Sequence, residues 1–187
     1  MDNSKINQTE LTFNSNAGEA KVNLYTGRLA LEQTLASIGM RTNEITLSQI
    51  YNSHLELPSR LNPHLGNKWK LNIQQYLYQE NYNYYYIDAS GMKIEFDYLT
   101  DNTYYDKSGL GLQLKKNSNT YTITDPLGNE MVFEYERLVK SITKEQINIT
   151  QRFEYDATGK LIKYFNESKI DNKFEFSYNS NGLLIYQ

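Results

Sequence analysis

The side chains best suited to chemistry in this sequence are few and poorly grouped. Its two histidines, His54 and His64, flank Pro58 and Pro63, with Glu56 close by. A metal centre needs two or three such ligands converging, and this spacing matches no zinc motif, so both read as loop histidines. Asp97, Asp101, Asn102 and Asp106 form an oxygen-rich stretch of the kind that can hold calcium. It lacks the alternating Asp pattern and closing Glu of an EF-hand loop, and so reads as a solvated acidic loop. Glu95 and Asp97 share a strand face among lysines, the pattern of a solvent side rather than of a glycosidase pair. No Gly-x-Ser-x-Gly is present. With no cysteine, a thiolate nucleophile, a thiolate metal site and a disulfide are all excluded. The expectation is a chain that is not an enzyme and uses no metal or cofactor.

Tyrosine is the residue in excess, at seventeen of 187. Tyr82, Tyr84 and Tyr86 alternate along one run, and a row of exposed rings would make a platform for sugars, with phenol groups adding hydrogen bonds. The competing reading, which is preferred, sets the rings against a sheet with their hydroxyls wet or paired. The single tryptophan, Trp69, reads as a core anchor rather than a ligand contact.

The elements that must carry these residues are strands. Met92-Lys93-Ile94-Glu95-Phe96-Asp97-Tyr98 alternates apolar and polar throughout, and Tyr121 and Ile123 share one face of Thr120–Thr124. A short helix over Leu29–Ile38 can be drawn, but its apolar spacing is irregular and Gly27 and Gly39 bracket it. Four turn signals separate the strands: Asp88–Gly91, Asp125–Gly128, Asp156–Gly159 and Asn179–Gly182. In each, an Asp or Asn can bond the backbone two residues on, and the Gly supplies a positive φ. The fold class is all-β, built from antiparallel strand-turn-strand units.

The units repeat. Phe153, Tyr155, Asp156, Gly159 and Leu161 recur 23 residues later as Phe176, Tyr178, Asn179, Gly182 and Leu184. Leu138 lies another 23 residues upstream, in a copy three residues shorter that has lost its glycine turn. A related unit runs Asp88, Gly91, Ile94, Phe96, Tyr98 and returns 37 residues on as Asp125, Gly128, Met131, Phe133, Tyr135. Fixed periods imply units that bury their faces by stacking on neighbours, so the aromatic before each turn and the leucine after it should contact the next hairpin.

Tyr155-Asp-x-x-Gly159-x-Leu161 resembles the YD repeat of bacterial Rhs proteins, wall-associated proteins and the teneurin shell. Upstream, Val22-Asn23-x-x-Thr26-Gly27-x-Leu29, Leu47-x-x-x-Tyr51-Asn52-Ser53 and Gly66-x-Lys68-Trp69-x-Leu71 are similar, in order, to segments that open Rhs core regions. Lys68 stands where that pattern has a second glycine. The resemblance implies a spiralling β-shell, secreted or surface-displayed, that encloses a C-terminal toxin or other cargo. Its partners would be the remaining repeats of the shell and the cargo, with self-association through an open strand edge as a further route. On this reading residues 1–20 are a mobile polar leader, 21–80 the shell-opening strands, and 81–187 hairpin repeats continuous with them. No terminal cap follows Leu184. The alternative function is a carbohydrate- or protein-binding module using Tyr82, Tyr84 and Tyr86.

Charge and hydropathy narrow the rest. Nineteen basic against 22 acidic residues leave a formal charge of −3, which gives nucleic acid no long-range attraction. No run approaches the roughly 18 apolar residues of a membrane helix, and Met1–Lys5 does not open a signal peptide. The chain is therefore read as cytoplasmic or as a segment of a larger exported protein, the resemblance favouring the second.

Overall fold

The computed structural model describes residues 10–15, 18–39, 44–144 and 148–185. Five strands open the fold: β1 (Glu10–Ser15), β2 (Gly18–Asn23), β3 (Leu29–Ile38), β4 (Ile45–Asn52) and β5 (Trp69–Leu71), paired antiparallel in that order. Leu29–Ile38 is thus a ten-residue strand and not a helix. Its irregular apolar spacing comes from a bulge: the register with β4 shifts between Thr34 and Ala36, which turns the apolar face partway along. The expected mobile leader, 1–20, includes β1 and the first residues of β2, while 1–9 and 16–17 lie outside the described residues.

Eight further strands follow: β6 (Tyr76–Glu80), β7 (Asn83–Ile87), β8 (Lys93–Thr100), β9 (Thr103–Asp106), β10 (Gln113–Asn117), β11 (Thr120–Thr124), β12 (Glu130–Glu134) and β13 (Arg137–Lys144). Each pairs antiparallel with the next, and β13 returns to β6 to close a barrel. Closure rests on a short seam. Leu77 N–H donates to the Glu136 carbonyl at 3.1 Å and Leu138 N–H to the Gln75 carbonyl at 3.2 Å. Eight strands enclose a space that side chains alone can fill. Leu77, Tyr84, Tyr86, Ile94, Phe96, Leu114, Ile123, Phe133 and Leu138 are all buried in one core, consistent with that geometry.

Past the seam, β13 carries β14 (Asn148–Tyr155), β15 (Leu161–Asn166) and β16 (Lys169–Glu175) as an extension of the same sheet. Phe153, Tyr164 and Phe174 stack across it, with ring centroids 5.0 and 6.1 Å apart and planes within 11°. A separate hairpin, β17 (Ser177–Tyr178) and β18 (Leu184–Ile185), follows. The fold is all-β and antiparallel, as the alternation predicts; the described residues hold no α-helix beyond a single 3₁₀ turn at Ser59–Leu61. The expected boundary at 80/81 falls inside the β6–β7 hairpin, and the first sheet ends at Leu71.

Two-residue loops alternate with Asp-Gly turns between the barrel strands, and the loop at Ser118-Asn119 has a positive φ at Ser118 alone. Asn81-Tyr82, Asp101-Asn102 and Tyr135-Glu136 are two-residue loops with both residues at positive φ, whose twist matches that of the flanking strands. The shortened repeat copy therefore replaces its glycine turn with Tyr135-Glu136. The Asp-x-x-Gly turns close the alternate connections.

Candidate functional site

The repeat motif residues assemble into a joint. In Asp156–Gly159 the Asp156 carbonyl accepts from Gly159 N–H, and Asp156 N–H donates to the Lys160 carbonyl, both at 2.9 Å. The carboxylate accepts from Thr158 N–H, the Thr158 hydroxyl and Lys160 N–H at 2.7–2.9 Å. Gly159 and Gly182 sit at φ +82° and +76°, where a Cβ would strain the backbone. Asn179–Gly182 repeats the arrangement with an amide oxygen accepting from Asn181 and Leu183 N–H. The turns at Asp88 and Asp125 are built the same way.

A second contact links successive units. The Tyr155 hydroxyl donates to the Leu138 carbonyl at 2.9 Å, and the Tyr178 hydroxyl to the Leu161 carbonyl at 2.7 Å. Each bond spans 17 residues, so the tyrosine before one turn is fastened to the leucine after the previous one. Burial raises the Tyr155 phenol well above its ordinary range and pushes Tyr178 up to about 12, so both stay protonated donors. Leu138 and Leu161 are buried, and Leu184 packs half-buried against the same core.

Arg137 clamps the joint from the barrel side. Its Nε donates to the Gly159 carbonyl at 3.0 Å and Nη1 to the Tyr135 carbonyl at 2.9 Å. The guanidinium lies over Gly159 so closely that any side chain there would collide with it. Beside it, Arg60 forms a two-bond pair with Glu136 at 2.8 Å, tying the loop of the first sheet to the barrel seam. A cavity of about 550 Å³ opens here, lined among others by Tyr135, Arg137, Phe153, Tyr155 and Asp156.

Sequence reasoning missed a second joint, between the first sheet and the barrel. Lys70 is fully buried, its Nζ donating to the Ala89 carbonyl at 2.8 Å and the Leu71 carbonyl at 3.1 Å. Burial pulls its ammonium down to about 7, against the opposing pull of Asp88 and Glu32. Asn52 donates from Nδ2 to the Ser90 carbonyl at 3.2 Å, so both residues grip the Asp88–Gly91 turn. Alternation gives no hint of it, since Lys68 and Lys70 would share a face opposite Trp69 and Leu71, whereas Lys70 is buried together with Leu71. The three opening motifs also meet: Leu29 N–H donates to the Ser53 hydroxyl, Ser53 N–H returns to the Leu29 carbonyl, and Tyr51 packs on Trp69 with centroids 5.3 Å apart.

The other candidates are dispersed. Tyr84 and Tyr86 are buried, Tyr84 against the rings of Tyr104 and Tyr121, and Tyr86 donating to Gln75. Tyr82 stands alone in its turn, 91% exposed, so the three rings form no surface platform. His54 lies where its N–H donates to Asn52, and His64 packs edge-on against Tyr178. Asp106 spends its carboxylate on Ser108, Leu110 and Leu112; burial pushes its pKa up, but these donors outweigh that and hold it low. Glu95 and Asp97 both face Lys107, at 3.2 and 3.6 Å. Among the described residues no three His, Cys, Asp or Glu converge as metal ligands. Chemically, the joints fasten strands: the donors of Tyr155, Tyr178, Arg137, Lys70 and Asn52 are directed at backbone carbonyls.

A family profile described as a domain of unknown function, DUF6531, matches residues 19–96, from β2 through the first half of β8. That stretch contains Asn52, Lys70 and the turn they grip. No curated protein matches the sequence.

Proposed function

We propose that this chain is a non-catalytic structural module of an Rhs/YD-repeat shell, enclosing or presenting a C-terminal toxin or other cargo in a secreted or surface-displayed bacterial protein. The observation that carries the reading is the tyrosine-to-leucine bond repeated at one fixed span. A joint of this kind can be propagated, because each hairpin offers its successor a leucine carbonyl and an apolar face. The closed barrel, joined to the repeats by Arg137, gives such an array a rigid base. The partners are further repeats of the same polypeptide and the cargo they surround. A sugar-binding module retains only Tyr82 of its three rings at the surface.

Cryo-electron microscopy of the natural full-length polypeptide tests this. The expected map shows further hairpins stacked by the same tyrosine contact around an enclosed volume. A natural product without such repeats, or with these strands facing no enclosed space, overturns the reading.

A further inference from the structure

We propose that the residue just before each unit's leucine is a forward clasp on the turn of the next unit, and that its chemistry sets how firmly that turn is held. The first case is Arg137, which precedes Leu138 and donates from Nε to the Gly159 carbonyl at 3.0 Å. The second is Lys160, which precedes Leu161. A Cβ at Gly182 would lie 3.7 Å from Lys160 Nζ, with His64 Nδ1 next at 3.9 Å. Each base thus meets the turn glycine 22 positions on. The tyrosine bond runs the other way, from Tyr155 back to Leu138 and from Tyr178 back to Leu161. One contact directed backward and one forward stop a hairpin from pivoting about either.

The clasps are graded. Arg137 spreads a planar fork over two carbonyls, that of Gly159 and, at 2.9 Å, that of Tyr135. Lys160 carries a compact ammonium on a flexible stem, and its Nζ lies 5.1 Å from the Tyr178 ring centroid, a cation–π contact. Leu183 holds the corresponding place in the third unit, 47% exposed and with no side-chain donor to send forward. The gradient follows the architecture. Arg137 holds a turn within the eleven-stranded sheet, whereas Lys160 holds the separate two-stranded hairpin β17–β18. Both clasps lie within this chain and act whether or not further repeats follow.

Hydrogen exchange on the full chain tests this, read at Gly159 and Gly182, whose N–H groups close the two turns on the Asp156 and Asn179 carbonyls. Arg137→Met keeps an apolar stem but removes the fork, and should speed exchange at Gly159 by about tenfold with Gly182 unchanged. Lys160→Met should speed exchange at Gly182 by about threefold with Gly159 unchanged, the smaller effect of a lost cation–π contact. Lys160→Arg should slow Gly182 below its wild-type rate, since it brings a fork to the second turn. A methionine variant that leaves its own glycine unchanged, or that moves both glycines equally, overturns the clasp. Should Arg137→Met fail to fold, the two Lys160 variants decide: opposite shifts at Gly182 support the clasp, and no shift in either overturns it.

Discussion

The opening sheet and the repeat hairpins are both antiparallel β-structure, yet they are fastened by different means. Between β13 and β18 the contacts are periodic and short in sequence: an Asp or Asn closing its own turn, a tyrosine bonded 17 residues back, and aromatic rings in a stack. Between the opening sheet and the barrel the contacts are aperiodic. Lys70 reaches Ala89 and Asn52 reaches Ser90, while within the opening region Gln74 donates to the Pro63 carbonyl and Asn72 to the Thr46 carbonyl. Periodic fastening can be copied along a chain, whereas the buried polar kind fits one interface. The difference suggests an array that grows by repetition from a base that is built once.

Substitutions can break this comparison, and the largest effect belongs to the base. Lys70→Ala strands two buried carbonyls and leaves a void, and should cost about 3 kcal/mol in urea unfolding. Lys70 also gives the base a pH signature absent from the repeats. Its folded pKa of about 7 lies below the ordinary 10.5, so the unfolded chain binds more protons between those values. Stability should rise with pH across that window in the wild type, and Lys70→Met should remove that rise.

Within the repeats, Asp156→Ala removes three hydrogen bonds from one turn and should cost about 1.5 kcal/mol, read by urea unfolding. Asn179→Ala, on the peripheral hairpin, should leave global stability nearly unchanged and show only as faster exchange at 177–185. Equal global losses from the two would erase the distinction between the integrated repeat and the docked one.

The tyrosine staples are smaller still. Tyr155→Phe should lower stability by about 1 kcal/mol, since a buried carbonyl loses its donor while the packing survives. Tyr178→Phe should act on the β17–β18 hairpin alone, seen as lost protection there. If Tyr155→Phe were neutral, the fixed span would be a by-product of packing rather than a fastening.

The smallest expected effect sharpens the reading of the opening motifs. Lys68 occupies the position that the resembling pattern gives to glycine, and its φ is +66°. Its Nζ compensates by donating to the Leu55 carbonyl at 2.6 Å. Lys68→Gly should relieve the backbone and forfeit that bond, for a net gain of about 0.5 kcal/mol by thermal melting.

How much could be read in advance follows the same division. The four Asp/Asn–Gly turns and the 23-residue period were legible because each is a local bargain between a side chain and a backbone a few residues away. The Leu29–Ile38 strand was ambiguous because a bulge breaks its alternation, and strand partners alone decide between the alternatives. The tyrosine row left two readings open because alternation puts Tyr84 and Tyr86 on one face without saying whether that face is inside or out; both are buried, as the preferred reading has it. Tyr82 left the row for a different reason, since it forms half of a two-residue turn at φ +70°.

By itself the sequence determined the all-β class, the turns and the repeat, all of which rest on side-chain period and local hydrogen bonding. Only the tertiary structure decided that eight strands close into a barrel, because closure depends on the summed twist and stagger of strands and on one short seam whose paired residues, Tyr76 and Arg137, are 61 positions apart. It also decided that Lys70 is buried, that Arg137 caps Gly159, and that His64 faces Lys160 across Gly182. Each of these joins groups far apart in the chain, where no local pattern records the encounter.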